Sequence, residues 1–124
     1  MQVERILLID DEPDIRAVAV LSLERVGGFA LDAAESGEQG IELARKGPDL
    51  ILLDVMMPGL DGLETLAKLR EDPETAGIPV IFLTANSQPA DVQGYVEAGA
   101  VGVIRKPFDP MRLPDQIREL VAPL

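Results

Sequence analysis

Apolar positions in this chain come in short blocks, set apart by longer stretches of mixed character. The blocks are Arg5–Ile9, Phe29–Ala33, Leu50–Leu53, Val80–Leu83 and Val101–Ile104. Leu50–Leu53 and Val80–Leu83 are apolar throughout, the pattern of a strand with helices packed on both faces of a parallel sheet. The stretches between blocks are long enough for crossover helices. Five strand–helix units predict an α/β fold with a doubly wound parallel sheet.

Capping signals divide the helical stretches. Ser36 with Gln39 three residues on predicts a capping box. Pro13 and Pro110 are expected just inside the first and last helices, where the missing N–H costs nothing. Gly47-Pro48 should end the second helix and Gly99 the fourth. In the last helix Met111, Ile117, Leu120 and Val121 are the expected core stripe. Pro114 interrupts it, so the helix either starts there or kinks. No repeat, low-complexity segment or linker is visible, and residues 1–124 are expected to form one domain.

In an open parallel sheet, ligands bind beyond the carboxyl ends of the strands, near the point where strand order reverses. The residues that terminate the apolar blocks are therefore the ones to read for chemistry. Block one ends in Asp10-Asp11, block three in Asp54, block four in Thr84, and block five leads to Lys106-Pro107. Each alone has an ordinary explanation: an N-cap, a loop, a turn. All five at strand ends do not. If the first and third strands are neighbours, the three carboxylates crowd together, and two like charges 4 Å apart repel by about 4 kcal/mol at an effective dielectric near 20. A proton, a lysine or a metal must offset that. An oxygen-only site with few protein ligands and room for water suits Mg²⁺. Lys106 offers a mobile point charge and Thr84 one donor hydroxyl.

Composition narrows the chemistry. The chain has no cysteine and no histidine, which excludes disulfides, thiolate chemistry, phosphohistidine and the commonest zinc ligands. Its formal net charge of −11 argues against direct nucleic-acid binding. Residues 101–124 are the least acidic quarter, with four basic and three acidic side chains. No apolar run approaches the about 20 residues of a membrane span, and the N-terminus does not read as a signal peptide. A soluble cytoplasmic protein is the expectation.

These residues, in this order, resemble bacterial response-regulator receiver domains. Ile6-Leu7-Leu8-Ile9-Asp10-Asp11-Glu12-Pro13 is similar to their first motif. Asp49–Gly62, with Asp54 followed by Val55-Met56-Met57-Pro58-Gly59, looks like the phosphorylation-site motif. Pro79–Ala85, Gly99-Ala100 and Lys106-Pro107-Phe108 complete the set, across nearly the whole chain. The resemblance implies a flavodoxin-like sheet in the order 2-1-3-4-5, flanked by five helices. It implies that Asp54 accepts a phosphoryl group from the phosphohistidine of a histidine kinase or a phosphotransfer protein. Mg²⁺ would be held directly by Asp11 and Asp54, by Asp10 directly or through water, and by the Met56 carbonyl. Thr84 and Lys106 would contact phosphoryl oxygens, and the Lys106–Pro107 bond would be cis. Gly59 and Gly62 would let the loop after Asp54 turn tightly. The implied outcome is altered affinity for a downstream protein partner through the surface around helices 4 and 5. No activity is implied beyond its own aspartyl phosphorylation and dephosphorylation.

One position departs from the pattern. Many family members carry an aromatic residue three positions before the lysine, and here that residue is Val103. A valine cannot swing a ring between buried and exposed states, so the relay must differ or be weaker. Tyr95, in the fourth helix, is either a packing residue or a partner contact. Three other readings share parts of the pattern. A flavin protein would need a phosphate loop that Asp10-Asp11-Glu12 would repel. An aspartyl-phosphate phosphatase would place an acid where Met56 stands. A constitutive interaction module finds support only in Val103. Nothing in the sequence names a kinase or an output, or decides between a stand-alone receiver and one cut from a longer protein.

Overall fold

The aliphatic blocks become the strands of one parallel sheet. The structure is a computed structural model that describes residues 1–86 and 88–124. The strands are β1 (Arg5–Ile9), β2 (Ala30–Ala34), β3 (Leu50–Asp54), β4 (Val80–Thr84) and β5 (Gly102–Arg105). The helices are α1 (Pro13–Leu21), α2 (Gly37–Ala44), α3 (Gly62–Glu71), α4 (Pro89–Glu97) and α5 (Leu113–Val121). All pairings are parallel, in the order β2-β1-β3-β4-β5. Chain order therefore reverses between β1 and β3, the switch point at which such sheets bind ligands.

Alternate side chains of each inner strand feed two cores. Leu7, Ile9, Ile51, Leu53 and Phe82 pack with Ala44, Leu66, Leu69 and Tyr95, under α2, α3 and α4. Ile6, Leu8, Leu50, Leu52, Ile81 and Leu83 pack with Ala19, Leu23, Leu113, Ile117 and Val121, under α1 and α5. Every residue of β3 and β4 is buried, which is why these blocks do not alternate in sequence. Each fully buried Leu or Ile contributes roughly 1.5–3 kcal/mol.

Several boundaries differ from expectation. Pro110 lies outside the last helix. Asp109 holds a turn there: its carboxylate accepts from the Met111 N–H at 2.9 Å, and its carbonyl from the N–H groups of Arg112 and Leu113 at 3.0 and 2.9 Å. The helix starts at Leu113 with Pro114 in its first turn. Met111 is consequently 67 % exposed and no part of the core stripe, where Leu113 sits instead, while Ile117 and Val121 are buried as expected. β2 begins at Ala30, and Phe29 packs into the core just ahead of it. The Ser36 box closes on one side only. Ser36 Oγ accepts from the Gln39 N–H at 3.2 Å, but Gln39 Oε1 accepts from Glu35, not from Ser36. The reciprocal box is at α3, between Asp61 and Glu64. Past Leu21 the first helix continues as a π-helical turn, Ser22–Val26, and Ser22 Oγ donates to the Pro110 carbonyl.

Gly62 shows how tightly the loop after β3 is folded back. Its N–H donates to the Val55 carbonyl at 2.8 Å. A Cβ there would stand 2.5 Å from the Asp54 carbonyl oxygen and 2.7 Å from Val55 Cα, both backbone atoms that cannot step aside. Gly62→Ala is therefore expected to destabilise the protein by about 1–3 kcal/mol, the usual cost of overpacking, read as a lower urea midpoint with an unchanged slope.

Candidate functional site at the carboxyl edge of the sheet

The ladder between β1 and β3 ends with Ile9 opposite Leu53. The next residue along each segment, Asp10 and Asp54, is buried beside the other at the carboxyl edge, with Asp10 wholly inaccessible and Asp54 2 % exposed. Asp11 and Glu12 follow Asp10. One carboxylate oxygen from each of Asp10, Asp11, Glu12 and Asp54 lies within 4.8 Å of all the others. Asp10 Oδ1 accepts from the Glu12 N–H at 2.9 Å, and Asp54 Oδ1 from the Met56 N–H at 3.2 Å. Met56 itself points to solvent, with 76 % of its surface exposed.

Lys106 reaches this cluster from the far side of the sheet. Its N–H donates to the Thr84 carbonyl at 2.8 Å, which holds the chain beyond β5 against the end of β4. The Lys106–Pro107 peptide bond is cis, as the resemblance implied. Lys106 Nζ donates to Asp10 Oδ2 at 2.7 Å and stands 3.4 Å from Asp54 Oδ1 and 3.8 Å from Glu12 Oε1. Thr84 is buried, and its Oγ accepts from the Asn86 N–H at 3.0 Å. That bond leaves the hydroxyl proton free to donate.

One lysine does not balance four carboxylates. Burial, then the Asp10 charge, push the Asp54 carboxyl up to about 6 against the opposing pull of Lys106 and the Met56 N–H. Burial alone would lower the Lys106 ammonium, but its bond to Asp10 and the charges of Asp10, Asp54 and Glu12 outweigh that and raise it. Asp11 Oδ1 and Asp54 Oδ2 are buried with no hydrogen-bond partner among the described residues. A buried, orphaned carboxylate oxygen is costly. A small divalent cation taking oxygen ligands would satisfy both and neutralise the cluster. The residues present therefore fit Mg²⁺.

The sequence-derived residues Asp10, Asp11, Asp54, Thr84 and Lys106 thus meet at one edge. Two further residues take part, neither of them a sequence-derived ligand or catalytic candidate. Glu12 completes the acidic cluster, and its signal was its position directly after the Asp10-Asp11 pair. Arg16, whose Nη1 donates to the Asp10 carbonyl at 2.8 Å, sits one helical turn beyond Glu12. Tyr95 is a packing residue: it is 9 % exposed, with its ring 5.4 Å from that of Phe82 at 60°. Val103 pairs with Phe82 in the ladder and packs, partly buried, against the same core.

A five-stranded parallel sheet in this order, with a carboxylate–lysine site at its switch point, defines a chemotaxis-receiver-like α/β protein. The chain belongs to the response regulator receiver domain family, whose sequence profile matches residues 6–118. It is 42 % identical over 119 residues to the response regulator Rre1 of Synechocystis, covering 94 % of this chain and 51 % of that protein. It is 41 % identical over 119 residues to the phosphate regulon transcriptional regulatory protein PhoB of Pseudomonas aeruginosa, covering 96 % and 49 %. The chain thus spans about half the length of the curated relatives it matches. Among solved structures it resembles the chemotaxis response regulator CheY4 of Vibrio cholerae, with TM-score 0.88, 27 % identity, and 97 % and 100 % of the two chains covered. It also resembles the receiver domain of the sensor histidine kinase PA1611 of Pseudomonas aeruginosa, with TM-score 0.84, 27 % identity, and 98 % and 99 % covered. That structure has a magnesium ion coordinated in its active-site cleft. Among the described residues no helix is long and apolar enough to cross a membrane.

Proposed function

We propose that this receiver domain is a phospho-acceptor switch in which Asp54 takes a phosphoryl group from the phosphohistidine of a histidine kinase or phosphotransfer protein. The observation that carries the reading is Asp54 itself, a buried carboxylate with one orphaned oxygen, 3.4 Å from Lys106 and beside three further carboxylates. In the transfer, a carboxylate oxygen of Asp54 bonds to phosphorus as the P–N bond breaks, and the partner imidazole leaves with the electron pair. Such a transfer depends on alignment and on neutralising the phosphoryl oxygens more than on acid–base chemistry, which suits a chain without histidine. Asp10, Asp11, Asp54 and the Met56 carbonyl would hold Mg²⁺, which would supply further charge neutralisation. Lys106 releases Asp54 Oδ1 to meet one phosphoryl oxygen, and the free Thr84 proton meets another.

Phosphorylation adds about −1.5 to −2 charge at this edge and draws Thr84 and Lys106 inward, which biases the surface around α4, β5 and α5 toward a protein partner. The chain turns over no external substrate, catalysing only its own phosphorylation and dephosphorylation. Intact mass after incubation with acetyl phosphate tests the reading. One phosphoryl group should be gained with Mg²⁺, none in EDTA and none in Asp54→Asn. A wild-type protein that stays unmodified both with acetyl phosphate and with a phosphorylated kinase would overturn it.

A further inference from the structure

The loop that carries Asp10 and Asp11 leaves the sheet before it reaches the helix. The Asp10 N–H still donates to Ala34 at 3.0 Å, one step beyond the β1–β2 register. The Asp10 carbonyl is past the ladder, and its donor is a side chain: Arg16 Nη1 at 2.8 Å. The Arg16 main chain is held in the first turn of α1. Its own N–H donates to the Glu12 carbonyl at 3.0 Å, the first helical bond of α1, in a turn that opens with Pro13. Its side chain is only 21 % exposed, and Glu35, on the loop after β2, stands 3.9 Å from Nη2 and is largely in solvent. An exposed pair at that distance contributes little. The bond to the Asp10 carbonyl is the one that constrains the loop.

We infer that Arg16 is a positioning residue for the metal site: by pinning the Asp10 carbonyl it fixes the turn from which the Asp10 and Asp11 carboxylates face Asp54. This rests on the reading of the acidic cluster as a Mg²⁺ site. Groups that orient metal ligands are typically worth 10–100-fold in metal affinity. The sign of the effect separates two roles. A cation near the cluster that acted only through its field would oppose Mg²⁺, so its removal would tighten binding. A positioning residue does the reverse.

The test is Mg²⁺ titration of the whole chain by calorimetry, with Arg16→Met, which keeps the apolar stem, and Arg16→Ala beside it. Amide spectra of the metal-free proteins supply a second readout. We expect wild type to bind one Mg²⁺, both variants to bind about tenfold more weakly, and Glu35→Gln to stay within about twofold because the pair is exposed. Without metal, the Asp11 and Glu12 amide signals should move in Arg16→Met while those of Thr84 and Lys106 stay in place. Affinity equal to or tighter than wild type would overturn the inference. So would weaker binding with unmoved Asp11 and Glu12 signals, or with signals displaced throughout the sheet. A wild type that binds no Mg²⁺ is a separate failure: it removes the reading of the site itself, and the inference with it.

Discussion

Lys106→Ala should slow Mg²⁺-dependent phosphorylation of the domain by about 100–1,000-fold, the usual loss when one preorganised donor to developing charge is removed. Two features of the site set the size of this effect. Lys106 is the cation closest to both Asp10 and Asp54, at 2.7 and 3.4 Å, and Thr84, the other candidate donor, carries no charge. Its loss should also cost stability, because Asp10 and Asp54 are buried and would lose the cation that stands against both. Breaking a buried pair by deleting one partner costs about 3–5 kcal/mol. The acidic pair softens this by holding a proton, so the loss should be largest well above pH 6, where Asp54 is ionised. Lys106 itself stays charged through that range, since its own titration is raised above 10.5. Mg²⁺ is the natural substitute cation, so it should return more stability to Lys106→Ala than to wild type. Urea melts with and without Mg²⁺ at pH 7.5 measure this. Equal stabilisation of the two proteins would show that Lys106 and the metal do not answer the same charge.

Most of this site was legible because it is built from strand ends. A strand buried on both faces writes itself as an unbroken aliphatic run, so the polar residue that stops the run, such as Asp54 after Leu50–Leu53, is marked in the sequence. The same logic placed Asp10, Thr84 and Lys106. What the sequence could not carry was the allocation of partners. Lys106 bonds Asp10 more closely than Asp54, by 2.7 against 3.4 Å, and that choice depends on how β5 sits against β4, two strands away from β1. Arg16 was missed for a related reason: its function lies in a side-chain bond to a backbone carbonyl, and nothing in the residue types of a helical turn announces one. The start of α5 was misplaced because proline marks only where a helix may begin. Asp109 outcompeted the helix by gathering three N–H groups into a turn, which carried Met111 out to solvent. The π-helical turn at Ser22–Val26 has no pattern of its own, because its residues read as a continuation of α1.

Asp54→Asn, which removes the phospho-acceptor, should make the metal-free protein more stable at neutral pH. The folded-state carboxyl titrates near 6, against 3.8 for the ordinary group. Between those values the folded protein retains a proton that the unfolded chain has lost, so wild-type stability falls as pH rises from about 4 to about 6 and then levels. A shift of this size corresponds to at most about 3 kcal/mol. Asparagine cannot ionise, keeps an acceptor for the Met56 N–H, and leaves Lys106 its closer bond to Asp10 at 2.7 Å. The Lys106–Asp54 attraction is already part of that net shift, so the variant should exceed wild type by up to about 3 kcal/mol at pH 7. At pH 4 the two should nearly coincide. Saturating Mg²⁺ should close the gap from the other side, by binding wild type more tightly than the variant. Urea denaturation in EDTA at pH 4, 5, 6 and 7, repeated with Mg²⁺ at pH 7, measures all of this. If the variant and wild type run parallel across that range in EDTA, Asp54 is not held above its ordinary range. If they diverge as pH rises and converge when Mg²⁺ is added, then Asp54 is a residue whose ionised form the fold tolerates only with a cation beside it. That would make the metal a condition for the nucleophile to exist as a carboxylate at low pH, as well as an aid to the transfer.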